Sequence, residues 1–404
     1  MNVRRARIVS TAVVAGVAAV GAWPLWAAPQ DDAPGEESAS LATEASRQAA
    51  EKALKWLARN QEPDGALRCD VGFKLNHDYK VERENEKHVG VTALAGTAFL
   101  AAGSVPDRGP YADNVKRALE FVMNSQNDKG YISRNGTRMY EHAFATMFLA
   151  EAYGMTHDPR VRGCLQRAVE FTYKAQNSQG GWRYAPNSED SDMSIVVCQV
   201  MALRAAKNKG ITVPKESIDR AVDYVLNSAN TSPNYMGYFE RGTFMYQWEP
   251  HNQAAASQPR TSFALTSAGL TTLYGAGVYT DRDIADIAAE RKLEKYKRPG
   301  GEPLPKFRDM IDYVKDHYDD VASGGVRHHY YFFYGNYYAA QAMFITGGRD
   351  WAQYYARLRD DLLRMQREAG GDGHVDSNVG EALSTAMTAL LLGVPNNYLP
   401  IFQR

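Results

Sequence analysis

The sequence predicts an all-α protein built from six helical hairpins, and three features carry that expectation. A Gln-x-x-x-Gly element recurs at Gln61, Gln126, Gln176 and Gln366, ending at Gly65, Gly130, Gly180 and Gly370. Each copy follows a segment with apolar residues at i, i+3, i+4 and i+7, which is one face of a helix. Each is followed by a second, more apolar segment, and several of these end in Gly, such as Gly103, Gly154, Gly275 and Gly347.

The outer segments align on the Gln. Ala50, Ala53, Leu54 and Leu57 precede Gln61; Val115, Ala118, Leu119 and Val122 precede Gln126. Leu165, Ala168, Val169 and Thr172 precede Gln176, and Tyr355, Leu358, Arg359 and Leu362 precede Gln366 with one mismatch. Two further copies keep the face without the Gln. Ile218, Ala221, Val222 and Val225 point to position 229, and Phe307, Met310, Ile311 and Val314 point to position 318. The long interval between these two holds a polar insertion at about 277–306.

The second helices are expected at 91–102, 143–153, 195–206, 262–274, 337–345 and 382–392. Their Ala, Leu, Met and Gly content suits burial among neighbours, and glycine at their ends suits a left-handed cap. No segment of useful length shows a strand period. Such hairpins can stack openly as a solenoid or close into a ring, and periodicity alone does not choose.

Composition is that of an ordinary globular protein, 44% hydrophobic and 23% charged over 404 residues, with a net charge of -1. No basic stripe points to nucleic acid. Residues 1–27 have the pattern of a signal peptide: Arg4, Arg5 and Arg7, an uncharged run from Ile8 to Gly21, and Ala27 at the cleavage point. An exported chain, periplasmic or secreted, is expected; a membrane anchor is the other reading of the segment. Residues 28–44 read as a disordered leader, and 45–404 as the helical domain. The cysteines are Cys69, Cys164 and Cys198, an odd count that leaves at least one thiol unpaired. No Cys-x-x-Cys or His-x-x-x-His spacing occurs, so neither a metal site nor a cofactor is expected.

Gln176-x-x-x-Gly180-x-Trp182 resembles the QW motif of the prenyltransferase/squalene-oxidase repeat family. Around it, Asn177–Trp182, Asp190-Ser191-Asp192 and Cys198–Leu203 are similar to squalene–hopene cyclases. The resemblance implies an α6/α6 toroid, which decides for closure, and a turn-holding role for Gln61, Gln126, Gln176, Gly180, Trp182 and Gln366. It also implies acid-initiated terpenoid cyclisation, an isomerase activity, with Asp192 as proton donor and Asp190 beside it; Met193 stands where those cyclases have a last Asp.

Alternatively, Asp190 and Asp192 cap the helix that follows. The other second-helix entrances place His88, Glu141, His142 and Arg260 at one mouth of a ring, either as a pocket or as capped helix ends. Tyr334 and Tyr337, in the aromatic run 328–338, either grip a ligand or pack the fifth hairpin. The aromatic segment 234–248 reads as a lid. An apolar or isoprenoid small molecule and a membrane surface are the partners this reading implies, with no partner protein indicated. A non-catalytic binding module and a carbohydrate-active α/α-barrel enzyme are the alternative functions. The last requires two carboxylates across a cleft.

Overall fold

The ends of the amphipathic segments carry the side chains that stop a helix from fraying. Thr43 caps α1 (Glu44–Arg59) by accepting from the Ser46 N–H. Asp158 with Pro159 opens α5 (Pro159–Lys174), and Thr280 with Asp283 forms a capping box on a helix of the insertion. The computed structural model describes residues 40–396, apart from 76–77, 135, 137, 233–239, 249–261, 298–301, 323–329 and 379. All lie within the unit Pro34–Gln403. The expected signal peptide and most of the leader, like Arg260, lie outside the described residues.

After α1 come β1 (Arg68–Leu75), β2 (Asp78–Lys87), α2 (Val89–Ala101), α3 (Ala112–Met123), α4 (Arg138–Tyr153) and α5. Then follow α6 (Met193–Asn208), α7 (Lys215–Ser228), the short strands β3 (Ala229–Asn230) and β4 (Thr243–Phe244), and α8 (Phe263–Ala276). The insertion supplies α9 (Asp281–Glu290) and α10 (Glu294–Lys297). The chain continues through α11 (Phe307–Asp316), α12 (Tyr318–Ala322), α13 (Tyr330–Thr346), α14 (Gly348–Glu368) and α15 (Glu381–Gly393). Among the described residues no helix is long and apolar enough to cross a membrane.

Helices α2, α4, α6, α8, α13 and α15 are buried nearly all round and pack on one another in that order, with α15 returning to α2. The ring is therefore closed. Helices α1, α3, α5, α7, α11 and α14 lie outside it, each burying one stripe. The closing contact is between the first outer helix and the last inner one, α1 against α15.

In the four Gln-bearing copies a side-chain amide ties the outer helix to the next. Gln61 Nε2 donates to the Gly65 carbonyl at 3.0 Å and to the Asn114 carbonyl at 3.0 Å. Gln126 does the same to Gly130 and Cys164, Gln176 to Gly180 and Ser217, and Gln366 to Gly373 and Ala49. Every distant acceptor stands twelve residues ahead of the next marker: 49 before 61, 114 before 126, 164 before 176, 217 before 229. The Gln oxygen is also used, accepting from Arg117 at Gln61 and from Arg167 at Gln126. Trp182, 1% exposed, donates its indole N–H to the Thr172 carbonyl at 2.8 Å and seals the third turn.

The turn glycines pack directly on the next outer helix. A Cβ at Gly65, Gly130, Gly180, Gly242 or Gly373 would stand 2.1–2.6 Å from the carbonyl oxygen of Arg117, Arg167, Arg220, Asp309 or Lys52. Each of these five contacts falls nine residues ahead of a marker, including 318, where the Gln is missing. In the last copy the turn glycine is Gly373 rather than the expected Gly370, because that turn is three residues longer.

Two expectations about local structure need correction. A strand hairpin, β1–β2, stands between α1 and α2, where none was expected. Its signal was present: Cys69, Val71, Phe73 and Leu75 alternate with Asp70, Gly72 and Lys74. Irregularities in register around Cys69–Gly72 and the charged β2 hide it. The fifth inner helix also begins at Tyr330 rather than 337, which puts most of the aromatic run 328–338 inside a helix.

Gly180 has φ +90°, and its Cβ would meet the Arg220 oxygen at 2.4 Å, whereas Gly103 has φ +83° with nothing within 4 Å. Both substitutions to Ala incur left-handed strain of about 1–2 kcal/mol, but Gly180→Ala adds a backbone clash. It should destabilise by several kcal/mol, and Gly103→Ala by about 1. Equal urea midpoints for the two variants would show that the turn-to-helix contact does not matter.

Candidate functional site

The N-terminal ends of the inner helices gather at one end of the ring, and polar side chains enter there as caps. His88 caps α2, with Nδ1 accepting from the Val91 N–H. Glu141, 1% exposed, accepts from the Val89 N–H at 2.8 Å and from the Arg134 N–H at 2.8 Å. Burial still pushes its carboxyl up to about 7. His142 accepts at Nδ1 from the Ile132 N–H, which leaves Nε2 to donate toward Thr172 Oγ1 and the Ala168 carbonyl. Burial holds both His88 and His142 down to about 4, so both rings are neutral. Glu141 and His142 thus bind backbone on neighbouring elements.

Tyr334 and Tyr337 also differ from expectation. Tyr334 reaches the Ser194 carbonyl on α6 at 2.9 Å and packs edge-on to Tyr140 of α4. Tyr337 meets Phe144, and Tyr338 shares a 2.9 Å contact with Cys198. These rings fill the space between α4, α6 and α13 and are at most 8% exposed. They are core rather than the wall of an open apolar cavity.

Asp192 is different from the other caps. Its Oδ1 accepts from the Ile195 N–H at 3.0 Å and from the Ser194 hydroxyl. Its Oδ2 is buried with no hydrogen-bond partner among the described residues, 3.8 Å from Arg183 Nε. Ser194 in turn accepts from the Tyr140 hydroxyl at 2.6 Å. Burial raises the Asp192 carboxyl to about 6, against the hydrogen bonds from Ser194 and Ile195. Tyr184, Tyr224 and Tyr246 flank it closely enough for its charge to raise their hydroxyls further.

Around Asp192 the surface is aromatic and charged. Tyr184 and Tyr246 share a 2.6 Å hydroxyl contact, and Arg138 and Arg183 each lie 5.8 Å from the centre of the Tyr184 ring. Asp190 is half-buried, pairs with Arg183 and accepts from Gln247 at 3.0 Å. One guanidinium therefore holds both Asp190 and Asp192. That limits their separation to roughly 9 Å, given ordinary hydrogen-bond lengths. Arg183, Tyr184, Ser194 and Gln247 were not anticipated from sequence. The polar and aromatic pair Arg183-Tyr184, directly after the turn-sealing Trp182, was the available signal.

No protein-family model matches the chain, and no curated protein matches its sequence. Solved structures do. A glycoside hydrolase family 76 mannosidase from Bacteroides thetaiotaomicron is similar over 87% of this chain and 97% of its own, at 10% identity and a TM-score of 0.54. A novel alpha-amylase from Clostridium perfringens gives 85%, 97%, 8% and 0.51 for the same measures. An unsaturated glucuronyl hydrolase from Streptococcus agalactiae gives 91%, 96%, 12% and 0.50.

The fold is an α/α toroid. The structural neighbours are glycosidases, not squalene cyclases or prenyltransferases, and they overturn the resemblance read from the Gln176–Trp182 motif. The terpenoid-cyclase and isomerase assignments fall with it. Gln176, Gly180 and Trp182, the core of the likeness, serve the hairpin turn.

The His142 ring generates a pH signature. Its pKa is lower folded than unfolded, so the native state binds fewer protons between about 4 and 6.5. Its contribution is full above pH 6.5 and is lost as the pH falls toward 4. The stability gap between wild type and His142→Leu should shrink over that range by roughly 1 kcal/mol per pH unit. A gap independent of pH, measured by urea unfolding, would contradict a neutral buried ring. Glu141 and Asp192 act in the opposite sense, favouring the native state toward lower pH, but they are common to both proteins and cancel in the comparison.

Proposed function

We propose that this toroid is a carbohydrate-active α/α-barrel enzyme that cleaves a glycoside at the mouth around Asp192. The observation that carries the reading is the Asp192 carboxyl: buried, raised to about 6, and with one oxygen left without a hydrogen bond. A general acid for a glycosidic oxygen must stay protonated near neutral pH, and burial is a way to achieve that. Asp190, on the same guanidinium, is the second carboxylate. Their separation is bounded at roughly 9 Å, inside the upper limit of about 9.5 Å for carboxylate pairs that cleave glycosides. The faces of Tyr140, Tyr184 and Tyr246 suit the apolar faces of a sugar ring. The named glycosidases of the same fold support the reading by analogy of fold.

In this mechanism Asp192 gives its proton to the leaving oxygen while Asp190 serves the opposite face, as base or nucleophile. Arg183 pairs with Asp190. Asp192 has no exposed surface, so substrate must displace part of the Tyr184–Tyr246 pair to reach it.

Asp192→Asn is the informative variant, because Asn is as good a helix cap as Asp and the fold should survive. Reducing-sugar release from a panel of polysaccharides and nitrophenyl glycosides should fall about 100-fold or more. Wild-type turnover should decline as the pH rises through about 6. Undiminished turnover in Asp192→Asn would remove Asp192 from the chemistry. Saturable glycan binding without turnover would favour a non-catalytic carbohydrate-binding module, and no interaction with any glycan would overturn the reading.

A further inference from the structure

The last hairpin turn differs from the others, and its extra residues assemble a set of donors. In the first three copies three residues separate Gln from the turn glycine, and in the last copy six. The longer turn brings Asp372 ahead of Gly373 and His374, and Asp376 and Glu381 follow on the way into α15. One donor atom from each of His374, Asp376 and Glu381 lies within 4.8 Å of the others.

The His374 ring is fixed on two sides. It stacks on Trp56 with centroids 5.9 Å apart, and its Nδ1 pairs with the Asp372 carboxylate. A carboxylate at Nδ1 selects the tautomer with the proton there and presents the Nε2 lone pair outward. That lone pair points at another carboxylate oxygen, Asp376 Oδ1, 3.1 Å away. The 3.1 Å contact calls for a positive charge between the two atoms, either a proton on Nε2 or a metal ion. Glu381, the exposed first residue of α15, brings a third donor to the same point.

We infer that His374, Asp376 and Glu381 form a binding site for a divalent first-row transition metal, Zn2+ or Mn2+, with Asp372 as the residue that orients His374. The donor set discriminates among ions. One imidazole with two carboxylates suits Zn2+ or Mn2+, whereas Ca2+ and Mg2+ prefer all-oxygen shells. Donors bound to Zn2+ sit about 2.0–2.2 Å from it, so no two can stand more than about 4.4 Å apart. The 4.8 Å cluster reaches that with a small rotation of the exposed Glu381 side chain. Three protein donors also leave a coordination position for water or a ligand. Sequence spacing does not reveal the set, because His374-x-Asp376-x4-Glu381 matches no paired-ligand spacing, and the ordering carboxylate belongs to a turn that only the repeat alignment shows to be extended.

Around the ring α15 lies opposite α6, so this site is separate from Asp192 and its test does not depend on glycosidase activity. The purified protein, stripped with EDTA and dialysed, is titrated calorimetrically with ZnCl2 and with MnCl2. Saturable binding of one equivalent of at least one of them is expected. His374→Ala and Asp376→Asn should each weaken it at least tenfold, Asp372→Asn roughly tenfold, and His157→Ala, at an exposed histidine elsewhere, not at all. All four variants should keep the wild-type circular dichroism. No saturable binding of either ion would overturn the assignment, as would binding unchanged in His374→Ala or saturation by Ca2+ or Mg2+ alone. In those cases a proton alone would supply the positive charge between His374 and Asp376.

Discussion

A glutamine amide with two hydrogens and two carbonyls to satisfy sets the geometry of this protein. In the Gln-bearing copies one hydrogen closes the turn, and the other reaches the second lone pair of a carbonyl in the next outer helix. The acceptor is always at the same place in the repeat, so each hairpin is placed relative to the next by a fixed distance and not only by apolar fit. The turn glycine adds to this by letting two backbones touch where any side chain would collide. Where the Gln is absent at position 229, the insertion takes part of its place. Arg291 pairs with Asp219 and Asp223 of α7, and Lys295 donates to the Asn227 carbonyl.

With the hairpins so placed, the inner helices present their N-termini to a common mouth, and the protein meets the same electrostatic demand there repeatedly. Four free N–H groups at each helix start call for acceptors. His88 and Glu141 answer it for α2, Asp192 for α6 and Ser262 for α8. The difference among them lies in what remains after capping. Glu141 binds backbone with both oxygens, so its chemistry is spent. Asp192 caps with one oxygen and holds the other in a dry, aromatic setting beside a shared guanidinium. Reactivity at this mouth depends on that leftover capacity rather than on the presence of acids.

The sequence makes the toroid legible to the extent that the toroid is periodic. The outer faces read directly, because Leu54, Leu119, Val169 and Val222 recur at one offset. A basic residue nine positions ahead of four markers, Lys52, Arg117, Arg167 and Arg220, was equally visible and went unread. The mouth was harder. Asp192 was identifiable, but its neighbours Tyr140, Tyr184 and Tyr246 come from three segments brought together only by ring closure. Tyr334 and Tyr337 misled for the opposite reason: an aromatic run has the same composition whether it lines a hole or fills one. The QW likeness misled because a motif that solves a turn recurs wherever that turn does.

Closure also constrains how the protein can change. An open stack of hairpins can gain or lose a unit at either end, and its neighbours adjust only locally. Here Gln366 binds Ala49, 317 residues earlier in the chain, so the first and last units are each other's neighbours. A missing hairpin would leave a gap that no end could absorb, and an added one would have to widen every contact around the ring. Variation is therefore confined to places that leave the number of units fixed: the β1–β2 hairpin, the α9–α10 insertion and the lengthened turn after Gln366. Those are three places where this chain departs from its own repeat.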